Sequence, residues 1–213
     1  MTKTVLCYGD SNTHGFIPGT HGRYDSDTRW TGVLSRLLGD GYKVIEEGLS
    51  GRTAGRDNAE DYWRNGFDYL RPCMLSHLPF DYLVIMLGTN DCKYYMNQTP
   101  EMITQSMRNL VKEARIVLDE RGSDARIIIC SPVPIDDDVI HTEWQNECNL
   151  ESAEKSRRLA GLYKDAAIEL DCLFFDAGSV ASVSKLDCEH LTAEGHRAVA
   201  EALRDIIEKN MQL

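Results

Sequence analysis

The stretch Val5-Leu6-Cys7-Tyr8-Gly9-Asp10-Ser11-Asn12-Thr13 sets the reading of this chain. Four apolar residues without polar alternation, stopped by glycine and aspartate, are the pattern of a strand buried on both faces, as in a parallel sheet covered by helices. The pattern recurs in Tyr82-Leu83-Val84-Ile85-Met86-Leu87-Gly88-Thr89-Asn90-Asp91, at 127–130 and at 172–175, with a weaker version at 42–46. Between these runs the apolar period lengthens. Ile103, Met107, Leu110, Val111, Ala114 and Leu118 mark one helical face, with Thr99 as N-cap and Pro100 at the first helical position. Segments 30–38, 150–170 and 192–210 are also predicted helices, the last with a stripe of Ala198, Ala202, Leu203 and Ile206. Alternating strands and helices predict right-handed crossovers and a five-stranded parallel sheet.

The 213 residues fit one domain spanning 1–213, with 42% hydrophobic and 27% charged residues in ordinary globular proportion. With 23 Lys and Arg against 34 Asp and Glu, the net charge of −11 disfavours nucleic acid and anionic membrane partners. The N-terminal apolar run is too short for a secretory signal and no stretch is long enough to span a membrane, so a cytoplasmic protein is expected. The seven cysteines contain no Cys-x-x-Cys pair, which excludes zinc ribbons and thioredoxin-like sites and suits a reducing compartment. Neither a cofactor nor a metal is expected. The acidic run Asp136-Asp137-Asp138 with His141 reads as a solvated loop, and Glu46-Glu47 cannot act as a glycosidase pair, because neighbouring strand residues face opposite ways.

In open parallel sheets, ligands bind beyond the carboxyl ends of the strands. The residues there are Gly9-Asp10-Ser11 after the first strand, Gly48-Leu49-Ser50-Gly51-Arg52 after the weak one and Gly88-Thr89-Asn90-Asp91 after the third. Asp187-Cys188-Glu189-His190-Leu191 precedes the final helix. These are components for acyl transfer. A serine hydroxyl needs a base, a neutral imidazole is suited to that task, and a carboxylate on its other nitrogen fixes the tautomer. Ser11, His190 and Asp187 are the candidate catalytic residues. The backbone N–H groups of Ser11 and Gly51 and the side-chain amide of Asn90 are candidate oxyanion donors. Taken singly, each fragment is an ordinary turn or cap; the combination is informative. No Gly-x-Ser-x-Gly elbow or phosphate-binding glycine loop occurs, and Cys92 and Cys188 are assigned to packing.

The four blocks resemble those of the SGNH (GDSL-type) hydrolases, in order and in position along essentially the whole chain. Arg29-Trp30-Thr31-Gly32-Val33-Leu34 and Val44-Ile45-Glu46-Glu47-Gly48-Leu49-Ser50 look like the small arylesterase and acyltransferase subgroup that includes carbohydrate acetylesterases. The resemblance implies a flavodoxin-like three-layer α/β/α sandwich, a Ser11 nucleophile, the His190–Asp187 pair and an oxyanion hole of Ser11, Gly51 and Asn90. The expected activity is hydrolysis of short acyl esters, acetyl foremost, of aryl, alkyl or sugar alcohols, with acyltransferase side activity. A lysophospholipase or thioesterase of the same family and a non-catalytic ligand-binding domain are the alternatives. Asn12, His14 and Phe16 stand where those relatives carry bulky apolar residues, implying a more polar pocket mouth. Asp10, Asn12, His14 and Lys93 are expected to contact a small-molecule ester. The excursion 132–149, with Ile135, Val139, Ile140 and Trp144 among acidic residues, is expected to mediate a homo-oligomer that narrows the mouth.

Overall fold

A computed structural model describes residues 2–55 and 61–210. The segment 48–79, whose sequence reads as a long irregular stretch with a short helix around 67–77, lies partly outside the described residues. Five parallel strands form the main sheet: β1 (Lys3–Gly9), β4 (Tyr42–Gly48), β5 (Tyr82–Met86), β6 (Arg126–Ser131) and β7 (Leu173–Asp176). Their order, β4-β1-β5-β6-β7, is the flavodoxin-like arrangement in which the winding reverses between β1 and β5. Glycines Gly9 and Gly48 end in register, so the first two loops leave the sheet side by side.

Alternation along the strands sorts their side chains into two cores. Leu6, Tyr8, Leu83, Ile85, Ile127 and Ile129 pack with α3 (Gly66–His77), α4 (Pro100–Glu120) and α5 (Leu150–Glu169). Val5, Cys7, Val84, Met86, Ile128 and Cys130 pack on the other face with α2 (Trp30–Leu38) and α6 (Ala193–Lys209). Thr99 caps α4 with Pro100 in its first turn, as predicted, and Asn149 with Ser152 forms a capping box on α5. The weak run at 42–46 is a full strand reaching Gly48; as the sheet edge it is only half-buried, which is why its pattern is faint.

Two small elements escape a periodicity search. The four-residue α1 (Ser11–His14) follows β1, and β2 (Phe16–Ile17) pairs with β3 (Gly22–Arg23) in a two-rung ribbon. Each is shorter than one period of an apolar pattern. The ribbon nevertheless carries Phe16 and His21 to the carboxyl edge of the sheet.

The excursion 132–149 does not present its apolar side chains outward. Ile135 and Val139 are fully buried in the chain's own core, and Ile140 and Trp144 pack against it. The sequence argument for an intersubunit contact there is thereby removed. The acidic residues of this segment are paired with cations: Lys185 Nζ lies 2.7 Å from Asp136, and Arg157 Nη1 lies 2.9 Å from Asp137. No described helix is long and apolar enough to cross a membrane, and all seven cysteines are unpaired.

Candidate active site

The turn after β1 puts Ser11 at the sheet edge. Gly9 must lack a side chain, since a Cβ there would meet Thr13 Oγ1 at 2.0 Å and Met86 O at 2.8 Å. Asp10 then caps α1, its carboxylate accepting the backbone N–H of Asn12 at 3.0 Å. Ser11 is the first residue of that helix, where backbone N–H groups have no intrahelical acceptor.

A tight turn before α6 brings the histidine. Asp187 Oδ1 accepts the backbone N–H groups of Glu189 at 3.2 Å and His190 at 3.1 Å. Between them Cys188 takes the left-handed region at φ 62°, an uncommon conformation for a residue with a side chain. It is held by its own N–H to Ser184 O (2.8 Å) and by Asp136 N–H to its carbonyl (3.0 Å). The turn aims His190 at both partners. Its Nδ1 is 2.8 Å from Asp187 Oδ2, and its Nε2 is 2.9 Å from Ser11 Oγ.

Electrostatics at this relay favour a protonatable base. Burial works against charge on His190, but the Asp187 hydrogen bond and the negative charges of Glu189, Asp187 and Asp10 outweigh it and hold the imidazole above its ordinary value. Burial likewise tends to raise Asp187; the His190 contacts and two backbone donors bring it below the ordinary carboxylate range. Asp10 differs. Burial pushes it up to about 7, against the lowering effects of the Asn12 N–H and His190.

The candidate oxyanion donors sit on two loops tied together. Asn90 Nδ2 donates to Arg52 O at 3.1 Å, which uses one of its two amide hydrogens. The neighbouring Asp91 accepts the Ala54 N–H at 3.1 and 2.9 Å through its two oxygens and the Gln98 amide at 3.3 Å. Gly51 has φ +83°, and a Cβ there would lie 2.7 Å from Arg64 Nε. Arg52, which the sequence reading passed over, fastens this loop to the sheet. Its guanidinium donates to Gly9 O at 2.9 Å and to Glu47 O, and lies 4.2 Å from the centre of the Tyr8 ring.

Ser11, Gly51, Asn90 and His190 face one cleft of about 280 Å³. Phe16 stacks on the His190 ring at 4.2 Å between centres, and Trp144 approaches it edge-on at 5.9 Å. His21, Ser50, Arg64, Lys93, Glu147 and Glu189 complete the described wall. A larger depression of about 490 Å³ between α2 and α6 shares none of these residues. Lys93 is buried and ion-paired to Glu147; burial opposes its charge, yet Glu189 and Glu147 raise its pKa above the ordinary lysine value.

Of the four residues expected to touch substrate, the fold brings Lys93 to the cleft and leaves Asp10, Asn12 and His14 out of its wall. Asn12 is occupied elsewhere. Its Oδ1 accepts Leu191 N–H at 2.9 Å and its Nδ2 donates to Glu189 O at 3.4 Å, so it grips the chain on both sides of His190. His14 accepts Arg23 Nε–H through its backbone carbonyl at 2.7 Å, and burial together with the Arg23 charge holds its imidazole below the ordinary value. The polar mouth comes instead from Lys93, Glu147, Glu189, Arg64 and His21. Of these, Lys93 is expected from the sequence and Glu189 has a signal in its place beside His190; Glu147, Arg64 and His21 come from distant loops. Cys92 and Cys188 are fully buried side chains.

A flavodoxin-like sheet whose carboxyl edge carries a Ser–His–Asp hydrogen-bond chain beside two amide-bearing loops has the frame of an acyl-ester hydrolase. The sequence pattern of the GDSL-like lipase/acylhydrolase family matches residues 7–198, and the chain belongs to that family. It is a carboxylic ester hydrolase. The aryl esterase of M. smegmatis is 36% identical and superposes with a TM-score of 0.92 over 98% of this chain and 99% of its own. Est24, a carbohydrate acetylesterase from Sinorhizobium meliloti, is 37% identical with a TM-score of 0.90 over 98% and 99%. An acetylxylan esterase of Xylanibacter ruminicola is 27% identical over 148 residues, 61% of this chain and only 28% of that longer protein.

Proposed function

We propose that residues 1–213 act as one SGNH hydrolase domain that cleaves short acyl esters, acetyl foremost, of aryl, alkyl or sugar alcohols through an acyl-enzyme on Ser11. The observation that carries this is the relay Ser11 Oγ–His190 Nε2 at 2.9 Å and His190 Nδ1–Asp187 Oδ2 at 2.8 Å, opening on the cleft. Ser11 Oγ attacks the ester carbonyl carbon while His190 Nε2 takes its proton. The carbonyl oxygen becomes an oxyanion, met by the N–H groups of Ser11 and Gly51 and by the second amide hydrogen of Asn90. Collapse breaks the carbon–alkoxy bond, and His190 returns the proton to the departing alcohol. Water, deprotonated by His190, then attacks the acyl-serine; the bond from the carbonyl carbon to Ser11 Oγ breaks, His190 returns the proton to Oγ, and the acid leaves.

Cleft size and lining support the choice of a small acyl group. Phe16 and Trp144 crowd His190, and the rest of the wall is mostly polar or ionic, so the described residues form no long apolar trough for a fatty acyl chain. An ionic wall also keeps water at the site, which favours hydrolysis over transfer to another alcohol, leaving acyl transfer as a side activity. Cytoplasmic residence and a homo-oligomer belong to the same reading. For the latter, support now comes from the exposed aromatics Tyr62, Trp63, Tyr94 and Tyr95. Turnover of p-nitrophenyl acetate should exceed that of the butyrate and octanoate esters and be abolished by a serine-directed phosphonate. Absence of turnover, or a preference for octanoate, would contradict the proposal.

Three further results are expected. Asn90→Ala should lower kcat by about 10²–10³, the usual effect of losing one oxyanion donor; an unchanged kcat would remove Asn90 from that role. Asn12→Ala should leave KM for p-nitrophenyl acetate nearly constant while lowering kcat by up to about 10²-fold, because a loosened 189–191 segment misplaces the imidazole. Steady-state kinetics separate the two parameters. Finally, kcat/KM should be full at higher pH and fall as pH drops through the His190 transition, which lies above the ordinary value of about 6.5. The sign follows from the base role: the imidazolium formed below that transition cannot accept the serine proton. A profile flat from about pH 5 to 8 would speak against a histidine base.

A further inference from the structure

On the α3 side of the sheet edge, Glu47, Cys73 and His77 bring a carboxylate oxygen, a thiol sulfur and an imidazole nitrogen within 4.8 Å of one another. Two elements build the cluster. Glu47 lies near the end of β4, and its side chain points away from that of Glu46, which is bound to Arg29 and Thr31 on the α2 face. Cys73 and His77 are four residues apart on α3, so they stand on one face, a turn apart. His77 Nε2 is 2.7 Å from Glu47 Oε1, and Tyr69, one turn before Cys73 on the same face, donates to Glu47 Oε2 at 3.4 Å.

The cluster has the form of a half-open cup. Cys73 is 1% exposed and forms the floor. The His77 and Glu47 side chains are 28% and 20% exposed, which leaves a way in from solvent. None of the three lines the active-site cleft, and the ester-cleaving relay does not use them.

We propose that Glu47, Cys73 and His77 bind a divalent cation of the zinc class. One sulfur, one imidazole nitrogen and one carboxylate oxygen form a borderline-soft donor set that suits Zn²⁺ or Co²⁺ and does not suit Mg²⁺ or Ca²⁺, which take oxygen ligands. Three protein ligands leave the fourth tetrahedral position to water. On binding, the His77–Glu47 hydrogen bond gives way to two metal bonds as the imidazole proton shifts from Nε2 to Nδ1, and Cys73 binds as thiolate, its proton passing to solvent. The sequence holds no Cys-x-x-Cys pair and its acidic run 136–138 with His141 reads as a solvated loop, so it predicts no metal; these ligands come instead from a strand and a helix, with Cys73 26 residues beyond Glu47.

Cobalt(II) reports the site without reference to ester turnover. The full-length protein titrated with CoCl₂ should develop a near-ultraviolet thiolate-to-cobalt band and visible bands of tetrahedral cobalt, saturating at about one ion per chain. The thiolate band should disappear in Cys73→Ser, and His77→Gln should weaken Zn²⁺ at least about tenfold in competition with a chelating dye. His77 is partly exposed at the helix end, so its variant keeps the test decisive should a change at buried Cys73 disturb folding. His190→Ala and Ser11→Ala should bind cobalt as the parent does. No thiolate band in the parent protein, or unchanged zinc affinity in His77→Gln, would overturn the proposal.

Discussion

Ser11→Ala should abolish ester turnover, lowering kcat on the order of 10⁶-fold, while the protein stays folded. The size follows from the chemistry rather than from lost contacts: without Oγ there is no acyl-enzyme, and the remaining oxyanion donors can only assist direct attack by water. Folding should be spared because Ser11 Oγ makes its described hydrogen bond to His190 alone, and the cap on α1 is supplied by Asp10. Because nucleophile and base act as a unit, the double variant Ser11→Ala/His190→Ala should be no slower than either single change. Active-site kinetics with p-nitrophenyl acetate and a thermal melt check both halves. A residual rate within tenfold of the parent would place the nucleophile elsewhere.

Asp187→Asn should cost about 10⁴ in kcat through the tautomer of His190. The geometry forces the direction. Oδ1 of Asp187 is committed to the backbone N–H groups of Glu189 and His190, at 3.2 and 3.1 Å, so the oxygen of an asparagine amide must stay there. Its NH₂ group then faces His190 Nδ1, where a hydrogen-bond acceptor is required of the ring. The proton moves to Nε2, the atom 2.9 Å from Ser11 Oγ, and that nitrogen can no longer take the serine proton. The fold should survive, since the substitution is nearly isosteric and keeps the turn's two backbone bonds. A drop of less than tenfold in kcat would mean that Asp187 does not set the tautomer.

Much of the frame was readable in the sequence because its signals are local. Strand residues 5–8 and 82–86 are apolar at every position since both sheet faces are covered, and α4 announces itself through Thr99, Pro100 and a regular stripe. The residues at the strand ends could be paired with a chemistry because parallel topology sends them to one edge. Contacts between distant loops were not readable. Nothing in Gly51-Arg52 reveals that the Arg52 guanidinium reaches Gly9 O, nor does Asn12 signal that its amide holds Glu189 and Leu191 rather than a ligand. The excursion 132–149 misled for a related reason: its apolar residues imply burial, but composition cannot say against what. Ile135 and Val139 found their partners in the chain's own core.

The central claim is that the acyl group rides on Ser11. Its most direct test is peptide mass spectrometry of the enzyme quenched during turnover of p-nitrophenyl acetate or inactivated by a serine-directed phosphonate. The account predicts a single adduct, on the peptide carrying Gly9-Asp10-Ser11, absent from Ser11→Ala. An adduct on a cysteine or on another serine, formed in step with loss of activity, would contradict it.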